Sequence, residues 1–135
     1  MTTVLVADDD ADIRGLITMK LEQSGYVVLP ASDGAMALDL LQDVRPDIAL
    51  LDIRMPGASG TEICRYVRTV PEIARIPIIL VTASSMPGDL ELGLAAGADD
   101  YLLKPFSPRE LAGRLEAVRT PRFRPARVNH WWLRA

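Results

Sequence analysis

The sequence predicts an α/β domain, a parallel sheet with helices on both of its faces. Apolar runs and helical stripes alternate five times along the chain, with short connections between them. The runs lack the polar alternation of a half-exposed strand, as burial on both faces requires. Several of them also stop at a polar or charged residue. In a parallel sheet that collects those residues along one edge, where ligand sites form.

Thr3 to Ala7 reads as the first strand, and Asp8-Asp9-Asp10 follows it. Ile13, Leu16, Ile17 and Leu21 then recur at spacings of three and four, one face of a helix. Asp10 or Asp12 can cap that helix, with Asp10 the preferred choice, and Ser24-Gly25 ends it. Tyr26 to Leu29 is the second strand, and Ser32-Asp33-Gly34 a turn and helix start. Ala37, Leu38 and Leu41 form the next stripe, which Arg45-Pro46 breaks. Ile48 to Leu51 is the most apolar strand and ends at a single acid, Asp52. An unpaired carboxylate is expensive inside a core, so Asp52 belongs where the strand leaves it. Pro56-Gly57 suits the centre of a tight turn, since Pro pre-sets φ and Gly accepts a positive one.

Gly60 to Arg68 suits a third helix, with Ile63 and Val67 inward. Ile76 to Val81 is a buried strand ending at Thr82. Asp89 to Ala96 tends to helix, although Gly93 weakens it by about 1 kcal/mol relative to Ala. Gly97 is a plausible C-cap. Tyr101-Leu102-Leu103 is the fifth strand, ending at Lys104-Pro105. Ser107-Pro108-Arg109-Glu110 has the form of a capping box, and Leu111, Leu115 and Val118 give the last helix its buried face.

Composition narrows the function. The 135 residues are enough for one domain with a real core. The single cysteine, Cys64, rules out an intrachain disulfide and suits a reducing, cytoplasmic setting. Nothing at the start resembles a signal peptide, and no run approaches transmembrane length. The net charge of −3 is uneven: residues 121–135 carry four arginines and no acid, which leaves −7 on the first 120. An acidic body argues against nucleic-acid binding by the body itself. The division expected is a domain over residues 1–120 and a basic tail or linker stub over 121–135, where Trp131 and Trp132 read as tail or as a basic-aromatic contact segment.

The residues ending the strands are Asp8 and Asp9, Asp52, Thr82 and Lys104. Three carboxylates on one edge repel each other, and a divalent cation would offset them. Hard oxygen donors favour Mg²⁺, while one His and one Cys make zinc improbable. Three acids, one lysine and one Mg²⁺ sum to zero charge. A carboxylate beside a cation and a lysine is suited to attack a phosphoryl group, chemistry that depends on positioning and charge neutralisation. Taken singly, Thr82 also reads as a helix-start hydroxyl, Lys104 as a solvated lysine and Tyr101 as packing. Met55 and Cys64 read as packing alone.

In combination these pieces resemble the receiver domains of two-component response regulators. The resemblance runs from about Thr3 to Arg119. It rests on the Asp8-Asp9 pair, on Leu51-Asp52-Ile53-Arg54-Met55-Pro56-Gly57 with Gly60 beyond, on Thr82-Ala83, and on Lys104-Pro105-Phe106. It implies a flavodoxin-like sheet of strand order 2-1-3-4-5 with five helices. It implies that Asp52 accepts a phosphoryl group from a histidine kinase or phosphotransfer protein. Asp8, Asp9, Asp52 and the Arg54 carbonyl would hold Mg²⁺; Thr82 and Lys104 would bind the phosphoryl oxygens. Tyr101 would be a switch aromatic, and Lys104-Pro105 a cis peptide. Ala83 would leave the site open, and Arg54 and Ser84 would flank the hydrolytic water. The output would be a surface over residues 85–119 that controls an output domain or partner protein, with slow dephosphorylation returning it. Asp100 and Arg114 match an ion pair of regulators that dimerise through this face when phosphorylated; the partner expected for Glu110 falls near Leu90, which does not fit a charge-paired dimer.

Two rival functions share the fold. A flavodoxin-like flavin binder would want a Ser-, Thr- and Gly-rich phosphate loop after the first strand, where this chain has three aspartates. A pseudo-receiver, an interaction module without phosphotransfer, would have no need of Asp9, Asp52, Thr82 and Lys104 together.

Overall fold

In a computed structural model, residues 1–83 and 87–119 are described. The elements run β1 Thr3–Ala7, α1 Ala11–Gln23, β2 Val27–Ala31, α2 Gly34–Asp43, β3 Ile48–Asp52, α3 Gly60–Val67, β4 Ile78–Thr82, α4 Pro87–Ala95, β5 Asp100–Leu103 and α5 Pro108–Arg119. The five strands are all parallel, in the order β2-β1-β3-β4-β5. The fold and strand order are those the resemblance implies. Ser84 and the basic tail of residues 121–135 lie outside the described residues.

Alternation along the central strands sorts the core into two layers. Ile48 and Leu50 of β3 join Val4, Val6, Ile79 and Val81 beneath α1 and α5, where Ile17, Leu21, Leu111, Leu115 and Val118 close the layer. Ala49 and Leu51 point the other way, to Leu5, Ile78 and Leu80, covered by α2 and α3 through Ala37, Leu41, Ile63 and Val67. Every residue of β3 and of β4 is buried, so both read as unbroken apolar runs.

The local signals set most boundaries. Asp10 caps α1 by accepting from the backbone N–H of Asp12 and Ile13. Asp33 caps α2 by accepting from Met36 N–H. Gly57 takes a φ of 88°, as the tight turn requires. The Ser107–Glu110 capping box forms at α5 in both directions.

Three local expectations shift. Leu16 is 54% exposed, because the stripe Ile13, Ile17, Leu21 alone faces the sheet. β2 runs on to Ala31, past Pro30, since an edge strand tolerates a residue that lacks an N–H. α4 starts at Pro87 rather than Asp89, because a missing N–H costs nothing in a first helical turn.

The edge opposite the acids is tied by Arg68, the C-cap of α3. Its guanidinium donates to the carbonyls of Ala74 at 3.0 Å, Ile76 at 2.7 Å and Gly97 at 2.7 Å, and to Asp99 Oδ2 at 2.9 Å. Asp99 Oδ2 also accepts from Ile78 N–H at 2.8 Å. One cation thus joins the end of α3 to the starts of β4 and β5. Replacing Arg68 by Ala removes a cation from a carboxylate that is only 8% exposed. We expect Arg68→Ala to cost about 3 kcal/mol in urea unfolding. Asp99→Asn in that background should recover part of the loss, because Asn still accepts from Ile78 and buries no charge. A loss below about 1 kcal/mol would rank Arg68 with ordinary surface pairs.

Candidate functional site

The strand order reverses between β1 and β3, the topological switch point where an open α/β sheet leaves a crevice at its carboxyl edge. The sequence-predicted residues meet there. Asp8 follows β1, Asp52 ends β3, Thr82 ends β4 and Lys104 follows β5. Ladder hydrogen bonds continue one residue past the strands and fix these positions. Asp8 N–H donates to the Ala31 carbonyl at 3.1 Å, Ile53 N–H to Val81 at 3.0 Å, and Lys104 N–H to Thr82 at 2.8 Å.

At the centre is the Lys104 ammonium. Nζ donates to Asp8 Oδ2 at 2.8 Å and to Asp52 Oδ2 at 3.2 Å. Asp52 Oδ1 accepts from Arg54 N–H at 3.3 Å. Asp8 Oδ1 accepts from Asp10 N–H at 2.9 Å, and the Asp8 carbonyl accepts from Arg14 Nη1 at 2.7 Å. Carboxylate oxygens of Asp8, Asp9 and Asp52 lie within 4.8 Å of one another. Asp8 and Asp52 are buried while Asp9 is exposed, so the cluster opens to solvent on its Asp9 side. Thr82 is buried, one residue beyond Val81, the register partner of Asp52.

Gly60 holds the floor of the site. Its N–H donates to the Ile53 carbonyl at 2.9 Å, and a Cβ there would collide with the Asp52 backbone carbonyl. Only glycine lets α3 begin this close to β3.

The electrostatics follow from burial. Desolvation pushes the Asp52 carboxyl above its ordinary value; Lys104 pulls it back and Asp8 pushes it further up. Burial alone would depress Lys104. Its hydrogen bond to Asp8 and the charge of Asp52 outweigh that, and the ammonium is held above its ordinary value. Three carboxylates against one ammonium leave two negative charges uncompensated. That donor set, all hard oxygen, fits a divalent cation of the Mg²⁺ kind on Asp8, Asp9 and Asp52.

Tyr101 is half-buried in β5 opposite Leu80, and its ring carries the Arg114 guanidinium at 6.0 Å. Arg114 also pairs with Asp100 at 2.7 Å inside the same chain. Glu110 is occupied in the capping box of α5. Lys104-Pro105 is cis. Cys64 is buried, its thiol donating to the Ala96 carbonyl at 3.5 Å, a packing position as expected.

Sequence reasoning missed several contributors. Ser59 and Glu62 form a complete capping box at the start of α3, and the Ser-x-x-Glu spacing was there to be read. Arg14, Arg68 and Asp89 had no local signal, because their partners are distant in the chain or on the backbone.

The family described as "Response regulator receiver domain" matches residues 4–116. The phosphate regulon transcriptional regulatory protein PhoB of Pseudomonas aeruginosa is 45% identical over 116 residues, 86% of this chain and 51% of that protein. The DNA-binding response regulator MtrA of Mycobacterium tuberculosis is 40% identical over 114 residues, 84% of this chain and 49% of that protein. The chain therefore spans about half the length of these curated relatives. Among solved structures, the chemotaxis protein CheY4 of Vibrio cholerae superposes with a TM-score of 0.82 at 36% identity, covering 87% of this chain and 98% of that one.

The raised carboxyl of Asp52 has a consequence for stability. The folded chain holds the Asp52 proton more tightly than the unfolded chain does, so ionising the group costs stability. The cost is absent in acid below the ordinary carboxylate range and grows as pH rises through the Asp52 titration. With divalent ions chelated, Asp52→Asn should melt roughly 2–4 °C above wild type at neutral pH. The gap should close below about pH 3.5, where both proteins are neutral at this position. A variant that melts lower than wild type at neutral pH would show that the Lys104 pair, not desolvation, dominates at Asp52.

Proposed function

The chain belongs to the response regulator receiver domains, and from that premise we propose that it is a phosphorylation-driven switch with Asp52 as phosphoacceptor. One observation carries the reading: a single ammonium, Lys104 Nζ, sits between the carboxylates of Asp8 and Asp52, with Asp9 beside them. Phosphoryl transfer demands little covalent chemistry from a protein and much positioning and charge neutralisation. This arrangement supplies both.

In the proposed reaction an oxygen of Asp52 attacks the phosphorus of a histidine kinase's or phosphotransfer protein's phosphohistidine, and the nitrogen leaves on the opposite side. Asp8, Asp9, Asp52 and the Arg54 carbonyl would hold Mg²⁺, which would supply charge neutralisation for the phosphoryl oxygens. Lys104 turns from Asp52 toward one of those oxygens while keeping its bond to Asp8. The Thr82 hydroxyl takes another. Thr82 is at the end of β4, and Tyr101 turns inward as its hydroxyl moves. The face of α4, β5 and α5 then presents a changed surface to an output domain, a partner protein or a second copy. Slow hydrolysis of the acyl phosphate resets the site. This is a switch with weak autophosphatase activity rather than a conventional enzyme.

The sequence relatives bear on the output. PhoB and MtrA carry names that describe transcriptional and DNA-binding regulators, and this chain matches about half of each. We assign residues 1–120 to the receiver and 121–135 to a basic tail or linker stub. The receiver body is too acidic to bind nucleic acid itself. Among the described residues no helix is long and apolar enough to cross a membrane, in keeping with a cytoplasmic partner for a kinase. A phosphorylation-dependent dimer through Asp100 and Arg114 would first have to break the pair they form within one chain.

Incubation with Mg²⁺ and acetyl phosphate tests the reading. Intact-mass analysis should find one hydroxylamine-sensitive phosphoryl group on wild type and none on Asp52→Asn. Thr82→Ala should still accept the group but fail to change the α4–β5–α5 surface, read as hydrogen exchange over residues 87–119. Absence of label on wild type would leave a pseudo-receiver. Full switching in Thr82→Ala would remove Thr82 from the mechanism.

A further inference from the structure

Arg54 stands two residues beyond Asp52, and its backbone N–H is bonded to that carboxylate. Its guanidinium does not join the acid cluster. Nη2 pairs instead with Asp89 Oδ2 at 3.0 Å, in the first turn of α4. The Arg54 side chain is 73% exposed and that of Asp89 22%. Both residues line an open cavity of about 620 Å³ that also touches Asp9, the exposed member of the acid cluster. An anion approaching Asp52 from the Asp9 side meets this cavity, and in it a guanidinium whose charge is already taken.

We propose that Asp89 is a positioning residue that acts through Arg54: by holding the guanidinium against α4, it restrains capture of a small anionic phosphodonor at Asp52. The proposal rests on the phosphoacceptor reading and names a regulator of that same site. A free guanidinium is a planar fork that matches phosphoryl oxygens two at a time. Placed at the mouth of an acidic cluster, it raises the local concentration of anions and their on-rate. Paired with Asp89, it does neither. An exposed pair of this kind is weak, so a change in α4 suffices to release it. The loop after β3, which carries Arg54, is thereby linked to the helix that begins the proposed output face.

The step itself balances without a further reagent. With acetyl phosphate, a bond forms between an Asp52 oxygen and phosphorus. The bond from phosphorus to the acetyl oxygen breaks, and its electron pair leaves as acetate.

The test is the rate of Asp52 labelling by acetyl phosphate with Mg²⁺ at low ionic strength. The proteins are wild type, Asp89→Asn, Asp89→Glu, Arg54→Gln, the double variant Arg54→Gln/Asp89→Asn, and Glu91→Gln as an exposed α4 charge control. Asp89→Asn should label roughly three- to tenfold faster, with added salt erasing the gain. Asp89→Glu should return to the wild-type rate, Glu91→Gln should stay near it, and Asp89→Asn should have no effect once Arg54 is Gln. The same acceleration in the Arg54→Gln background would show that Asp89 acts by its own field, and would overturn the proposal. So would an Asp89→Asn rate at or below wild type. A wild type that labels normally while no variant departs from it sinks this proposal alone; a wild type that takes no label sinks the phosphoacceptor reading as well.

Discussion

The balance of charge around the Lys104 ammonium is the constraint on which the rest of this structure turns. Two buried carboxylates, Asp8 and Asp52, share one cation, and a third acid stands at the opening. A buried carboxylate without a partner is costly, and two sharing a partner are still in deficit. The deficit is visible at Asp52, whose carboxyl is held above its ordinary value despite a lysine at 3.2 Å. The fold tolerates it because everything beneath is over-determined. β1, β3 and β4 are buried apolar strands, and the ladder bonds to Asp8, Ile53 and Lys104 leave the edge residues little backbone freedom. A site short of positive charge on a rigid floor suits the cation and the phosphoryl group proposed for it.

Much of this was legible in the sequence because it is written locally. A buried strand announces itself as a run without polar alternation, and its end as the first residue that cannot stay in a core. Ile48 to Leu51 followed by Asp52 is the clearest instance, and the same logic picked out Thr82 and Lys104. Caps are local too, since Asp10, Asp33 and Ser107 each satisfy N–H groups within a few residues of themselves. Strand order was not written this way. It came with the family resemblance, because periodicity alone does not say which strand lies beside which.

What the sequence hid were the bonds that span the chain. Arg68 reads as one more arginine at a helix end, yet three carbonyls and Asp99 converge on it from two segments. Gly93 reads as a weak point in α4. In the fold it lies against Leu80, in the space a Cβ would need, so close packing of helix on sheet offsets its poor helix propensity. Leu16 fits the apolar spacing of α1 and is nonetheless exposed, since spacing identifies a face but not its width. The sequence separates Asp10, the cap, from the Asp8-Asp9 pair, but does not say which of that pair is buried. In the fold Asp8 is buried on Lys104, Asp9 is open to solvent and Asp10 is the helix cap.

The arrangement of β5 and α5 bears on how a change at Lys104 could travel. Lys104 directly follows β5, whose first two residues, Asp100 and Tyr101, both engage Arg114 of α5. One contact is an ion pair at 2.7 Å and the other a cation over an aromatic face. If Tyr101 turns inward, as proposed, Arg114 loses the ring and keeps only a partly exposed ion pair, which is weak by itself. Asp100 and Arg114 then become easier to re-pair with another surface. The pair within the chain is thus a competitor of any pair between chains, and the aromatic ring between them decides how strong a competitor it is. On this account phosphorylation at Asp52 need not create a new binding surface. It need only weaken the contacts that keep the existing one occupied.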